Sequence, residues 1–224
     1  MEIKYLSVSQ IKKANADMGS WFADKFLWLW NAIEEETNFA VGDLVENYLI
    51  TGEDNFDIIK DRNIADMDRL KEIYESAKHN AEWLEFEKWE QQVKVSGKLF
   101  DIEFVWYVDN LTDEYVDDIK TCWTLTKNDA TFPNSWSGMT TYREYEVQLW
   151  VYMKLLGRKK GRIIEVAKHS YKDKDRHEHQ MLEFNMTDKW DKEMKSFVGT
   201  IIDKMKDTVK VWFVNMENLF KNDK

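Results

Sequence analysis

Between residues 100 and 108 an apolar side chain falls at every second position: Phe100, Ile102, Phe104, Trp106 and Val108. Side chains of a strand repeat every two residues, so this spacing predicts a strand with Asp101 and Glu103 on its other face. A second strand is predicted over 114–121, where Val116, Asp118 and Lys120 share a face. The polar stretch 109–113, with its Asn and Asp, is expected to be the turn between the two. Upstream, 90–99 reads as a strand ending at Gly97, which is expected to mark a turn or bulge. Two more strands are predicted at 162–168 and 180–186.

Elsewhere the apolar spacing is three and four, the period of helices. Trp21, Phe22, Phe26, Leu27, Leu29, Trp30 and Ile33 predict a buried helix over 20–36. Val41, Leu44, Val45, Tyr48 and Leu49 form a further stripe, with Glu46 at its border and Gly42 allowing another backbone close. Helical spacing returns over 64–86, over 142–156 up to a stop at Gly157, and from 187 onwards in a long amphipathic run. That last run is expected to pack on the sheet or on another subunit. Ser7 or Ser9 is placed to cap the first helix. Residues 52–62 and 123–141 are polar and irregular, and the second stretch holds the one proline, Pro133. Helices, a three-stranded meander, a helix, two strands and a helical tail make an α/β (α+β) order. One domain over 1–224 is expected, with a core about 5–185 and a helical region 187–222.

Composition narrows the class. With 224 residues, 43% hydrophobic and 14% aromatic, the chain can bury a substantial core. Its single cysteine, Cys122, excludes an internal disulfide or a four-cysteine metal site. No apolar run approaches the roughly 18 residues of a membrane span, and the start lacks a signal-peptide core, so a cytoplasmic location is expected. The formal charge of −10 runs against a general nucleic-acid binder unless cations gather locally, as Lys154, Arg158, Lys159, Lys160 and Arg162 could.

Asp101, Asp118 and Lys120 carry the candidate chemistry. Carboxylates among apolar strand residues are costly to bury without a partner. A hairpin could bring these residues to one pocket, with a divalent metal or Lys120 as partner. His169, Asp173, Asp175, His177 and His179 could imitate a metal cluster, but a charged hairpin tip is the better reading, since His-x-His alone does not set zinc geometry. The tryptophans at 28 and 30 are read as core.

Gly97, Asp101 and Asp118-x-Lys120-Thr121 together resemble the PD-(D/E)xK nuclease superfamily, in its RecB-like and phage recombination exonuclease branch. Ser7-x-Ser9, Gly42-x-x-x-Glu46 and Gln148-x-x-x-Tyr152 resemble the same pattern. The resemblance implies a restriction-endonuclease-like core with a mixed central sheet flanked by helices. It implies Mg²⁺, with Mn²⁺ substituting, held by Glu46, Asp101, Asp118 and the Ile119 carbonyl. Lys120 would hold the attacking water or stabilise phosphate charge, and Gln148 and Tyr152 would orient these groups. Asp101 follows Gly97 by four residues where the family places three, which keeps Glu103 and Asp109 as alternates. A bulge would exchange Asp118 for Asp117. The expected activity is an exonuclease on linear duplex DNA ends in recombination or repair, in a bacterial cytoplasm if phage-encoded. No membrane contact is expected, and a homo-oligomer or a single-strand annealing protein is a possible partner. Lys127 and Trp136 are candidate DNA contacts. The competing reading, motivated by the acidic charge, is an inactive nuclease fold or a DNA mimic.

Overall fold

A strand whose two faces are both covered by helices needs apolar residues at consecutive positions, whereas a half-covered one alternates. Both kinds occur here. The computed structural model of the protein describes residues 3–22, 36–82, 84–86, 90–123, 125, 136–168 and 178–222. Among these, strands β1 (Tyr5–Leu6), β2 (Glu90–Leu99), β3 (Ile102–Leu111), β4 (Tyr115–Cys122), β5 (Lys160–Ala167) and β6 (His179–Asn185) form one six-stranded mixed sheet. Helices α1 (Val8–Ala16), α2 (Met18–Phe22), α3 (Glu36–Thr51), α4 (Met67–Ala81), α5 (Trp136–Leu156) and α6 (Asp188–Asn222) pack around it. The expected restriction-endonuclease-like architecture, a mixed sheet flanked by helices, is the one observed.

β3 alternates as its sequence requires: Ile102, Phe104 and Val108 are buried, while Glu103, Val105 and Tyr107 face outward. β5 instead sends Ile163 into one core and Ile164 and Val166 into another. The larger core joins α1, α2, α5 and α6 on one side of the sheet; the smaller joins α3 and α4 on the other. The run from 187 onwards is α6, whose Met194, Val198, Ile201, Ile202, Met205 and Val209 enter the larger core. Ser7 caps α1, and Gln10 returns the hydrogen bond to the Ser7 backbone. Gly157, at φ 67°, ends α5 as expected.

Two turns differ from expectation. β2 runs through Gly97 without a bulge, and the chain reverses at Phe100 and Asp101, between the paired Leu99 and Ile102. Both have positive φ, 53° and 63°, the arrangement of a two-residue hairpin turn whose twist suits the flanking strands. Such a backbone is unusual for a phenylalanine. The ring explains it: Phe100 stacks obliquely on Trp150 at 6.2 Å and lies where a Cβ on Gly199 would stand 3.1 Å from its edge. Gly97 serves helix packing instead, since a Cβ there would meet Leu155 at 2.8 Å. Gly42 has no comparable need, because a Cβ there would sit 3.4 Å from the Thr121 hydroxyl, an ordinary contact.

The second difference matters more. Residues 109–111 continue β3, and the reversal into β4 falls at 112–114. Asn110 and Asp117 pair across the strands inside the protein, and the Asn110 amide donates to Asp117 Oδ2 at 2.8 Å. Arg162 on β5 donates to both oxygens of Asp117, at 2.8 and 2.7 Å. Local turn preference in this segment is overridden by that buried polar cluster. Asp117 is therefore spoken for, and no bulge exchanges it with Asp118. Removing Arg162 leaves an uncompensated buried carboxylate, so Arg162→Ala should lose about 3–5 kcal/mol. Urea unfolding checks this; a midpoint within about 0.5 kcal/mol of the parent would show that the pair does not hold the strand in register.

Candidate active site

The paired residues Asn110↔Asp117 and Leu111↔Val116 set the register of β3 on β4, and one further step puts Asp109 opposite Asp118. The strand ladder ends before that step. In its place the Asp109 carboxylate accepts the Ile119 backbone N–H at 2.7 Å. β2 is disturbed at the same level: its ladder passes over Gln92, whose φ is 50°, opposite Asp109. Gln92 donates to the Glu46 carboxylate, which α3 brings across. Glu46, Asp109 and Asp118 thus meet where two neighbouring strands part. Strained backbone of this kind gathers at functional sites.

Asp101 is not among them. It lies exposed in the β2–β3 turn, eight residues along the strand from Asp109 and so roughly 26 Å away at ~3.3 Å per residue. The expectation that Asp101 joins Asp118 is corrected by the register, which takes Asp109 instead. Glu103, also on the exposed set, is equally excluded.

Lys120 reaches Asp118 Oδ2 as an ion pair. That oxygen is buried yet makes no hydrogen bond, because the ammonium approaches outside hydrogen-bonding geometry. Asp118 Oδ1 accepts from the Gln148 amide at 2.5 Å, and the same amide nitrogen donates to the Tyr152 hydroxyl at 2.8 Å. Lys12 on α1 donates to Gln148 Oε1 at 2.9 Å, which fixes which end of the amide faces Asp118. Tyr152 is fully buried and stacks on Trp106 at 6.3 Å, so it braces Gln148 from behind. Ile119 keeps its side chain in the α3–α4 core while Lys120 Nζ lies 3.4 Å from its carbonyl oxygen. An open cleft of about 640 Å³ lies above, and Glu46, Lys120, Gln148 and Lys12 are among its walls.

The electrostatics follow from crowding. Burial, then the Asp118 charge, push Glu46 up to about 7. Burial likewise holds Asp109 well above the usual carboxylate range, with Asp118 and Glu46 adding to it. Burial pulls Lys120 down, but Asp118, Asp109 and Glu46 outweigh it and the net shift is upward. Lys12 is lowered, by burial and then by the Lys120 charge.

As these side chains lie, no three acidic, His or Cys groups among the described residues are posed to grip an ion. The donor set nevertheless suits one. It offers hard oxygens, a buried Asp118 oxygen that only the Lys120 ammonium meets, and two carboxyls that burial and then their neighbours' charge push above the usual range.

Of the other candidates, His179 is in contact with the Asn80 carbonyl at 2.9 Å and belongs to the fold. Residues 169–177, Trp28, Trp30 and Lys127 lie outside the described residues, as does the side chain of Trp136. The basic run after α5 is engaged elsewhere: Lys154 pairs with Asp191, Lys160 with Glu114 and Arg162 with Asp117. Lys12 went unnoticed in the sequence. Its place one turn after Ser7-x-Ser9, facing the Gln-x-x-x-Tyr helix, becomes visible only once α1 packs on α5.

The sheet, the flanking helices and an Asp-x-Lys strand beside a Gln-x-x-x-Tyr helix define a PD-(D/E)xK domain. The chain belongs to the family described as the PDDEXK-like domain of unknown function (DUF3799), whose model matches residues 7–211. It shares its fold with a "putative exonuclease" from Eubacterium rectale, at 17% identity and a TM-score of 0.63 over 90% of this chain and 80% of that one. The same fold recurs in LHK-Exo, the alkaline exonuclease of Laribacter hongkongensis in complex with dAMP. There the identity is 13% and the TM-score 0.51, over 96% of this chain and 94% of that one. No curated protein matches.

A carboxyl whose pKa rises on folding binds more protons folded than unfolded between its two pKa values, so stability falls as pH climbs through that window. For Glu46 the window runs from the ordinary glutamate value of 4.5 to about 7. Metal-free protein should lose stability across it, and Glu46→Gln should remove part of the slope, gaining on the order of 2 kcal/mol above pH 7. Urea midpoints taken at intervals from pH 4 to 8 check this. Parallel curves for parent and variant would contradict the crowding.

Proposed function

We propose that the protein is a divalent-metal-dependent DNA nuclease, acting as an exonuclease on linear duplex ends. The observation that carries this is the convergence of Glu46, Asp109 and Asp118 with Lys120 in a PD-(D/E)xK fold, beside a cleft that Glu46 and Lys120 line. The named activity of the two fold neighbours, and the dAMP held by one, support DNA as the substrate.

In this reading Asp118, Asp109 and Glu46, with the Ile119 carbonyl, would hold Mg²⁺, and Mn²⁺ would substitute. The bound cation would polarise the phosphate and lower the pKa of a water. Lys120, ion-paired with Asp118, would stand as a cation beside the phosphate or hold the attacking water. Gln148 holds Asp118 Oδ1 in place, and Lys12 and Tyr152 hold Gln148. A role in phage-type recombination, with a homo-oligomer or an annealing protein as partner, fits the same activity. An inactive interaction protein would be favoured by a gap in this set; among the described residues each position is filled.

Incubation of linear duplex DNA with the protein and Mg²⁺ or Mn²⁺ tests the reading, with circular DNA alongside to separate exonuclease from endonuclease. Asp118→Asn, Asp109→Asn and Lys120→Ala should each lower the rate by about 10²-fold or more. Asp101→Asn should stay within about a factor of two, because its carboxylate is exposed in a distant turn. Activity that survives Asp118→Asn, or that depends on Asp101, would sink the assignment.

A further inference from the structure

Large aromatic side chains left half open inside a polar cleft point to something that covers them in use. Phe39 on α3 is 57% exposed and Trp123, just past β4, is 49% exposed. Both line the cleft shared with Glu46, Lys120 and Gln148. Trp123 follows Lys120 by three residues, so the strand that carries the acidic site also sets the indole beside it. Lys168 holds its ammonium 5.9 Å from the indole centroid, a cation–π contact that steadies the ring.

The cleft, at about 640 Å³, is on the scale of a small-molecule site. It has room for a nucleotide or so of a single strand, not for a paired duplex. Trp123 and Lys168 also form one wall of a second cleft, whose described lining sets three carboxylates, Asp66, Asp68 and Glu72, against Arg69 and Lys168. Those carboxylates repel a phosphate backbone. A strand that reaches Trp123 from the acidic site therefore meets a barrier beyond it.

We propose that Phe39 and Trp123 form a stacking cradle for the unpaired terminal nucleotide of a DNA strand, and that the acidic cleft behind Trp123 keeps the strand from running on. The proposal rests on the nuclease reading and deepens it, by naming what the cleft takes and which side chains select it. Base–aromatic stacking tolerates every base, so the cradle reads an end and not a sequence.

The test is binding without cleavage. Wild-type protein in EDTA is titrated into a single-stranded oligonucleotide whose terminal base is 2-aminopurine, and into one whose terminal nucleotide is abasic. Quenching of 2-aminopurine is expected. Trp123→Ala should weaken the intact oligonucleotide by roughly 5- to 150-fold, the worth of one stacked base, and leave the abasic one unchanged. Trp123→Phe should recover most of the loss, which a merely structural role for the indole would not require. Phe39→Ala should show the smaller version of the same pattern. Equal weakening of both oligonucleotides by Trp123→Ala, or wild-type protein that prefers neither, overturns the cradle. If wild type cleaves DNA with metal present but shows no quenching without it, the cradle alone is wrong. Protein that neither binds nor cleaves overturns the nuclease reading as well.

Discussion

Carboxylates repel one another, and this fold brings Glu46, Asp109 and Asp118 together away from bulk water. Everything else at the site answers that repulsion. Lys120 lies against Asp118, Gln92 donates to Glu46 and the Ile119 N–H donates to Asp109. One ammonium thus stands against three acids, and burial with their mutual charge pushes Glu46 and Asp109 upward. A site whose acids outnumber its cations, built from strand and helix rather than from mobile side chains, is held ready for added positive charge. The parting of β3 from β4 makes room for it. An intact ladder at that level would have spent the Ile119 N–H on a backbone carbonyl and left Asp109 no reason to face Asp118.

Two adjacent aspartates show how the same residue type is put to opposite uses. Asp117 and Asp118 are both buried, at 0% and 1% exposure, so burial alone does not distinguish them. Asp117 has Arg162 on both oxygens and Asn110 on one, and its charge is fully met. Asp118, pointing the other way, has one good donor, Gln148, and an ammonium out of line. The contrast makes Asp117 part of the fold's framework and leaves Asp118 as the one the proposed chemistry would use.

Much of this was legible in the chain, and the exceptions have a common cause. The strand alternation of Ile102, Phe104 and Val108, the helical stripe that carries Glu46, the stop at Gly157 and the facing of Gln148 and Tyr152 follow from local periodicity. Asp109, Asn110 and Asp113 look like a turn by propensity, which hides Asp109 from the strand pattern that displays Asp101. What keeps Asn110 in the strand is Asp117 and, behind it, Arg162, which lies 45 residues further on. Gly97 misled for a similar reason, since the Leu155 that presses on it comes from another element. Lys12 had no local signal at all. Contacts between elements decide register, and register decides which acid reaches the site.

The acidic balance of the whole chain can now be placed. A net charge of −10 disfavours approach of a polyanion over most of the surface. Part of the basic stretch 154–162 is spent on ion pairs, Lys154 with Asp191 of α6, Lys160 with Glu114, and Arg162 of β5 with Asp117 of β4. Lys12, Lys120 and Lys168 line the cleft, facing Glu46 and an Asp43 already paired with Arg62, with Asp118 and Asp109 beside Lys120. Such a distribution repels the body of a nucleic acid while accepting a phosphate at one point. A duplex lying along the surface would meet mostly like charge, whereas a strand end presents few phosphates and can reach the cleft alone. Under the nuclease reading proposed above, that balance favours a strand end, which brings few phosphates, over a duplex lying along the surface.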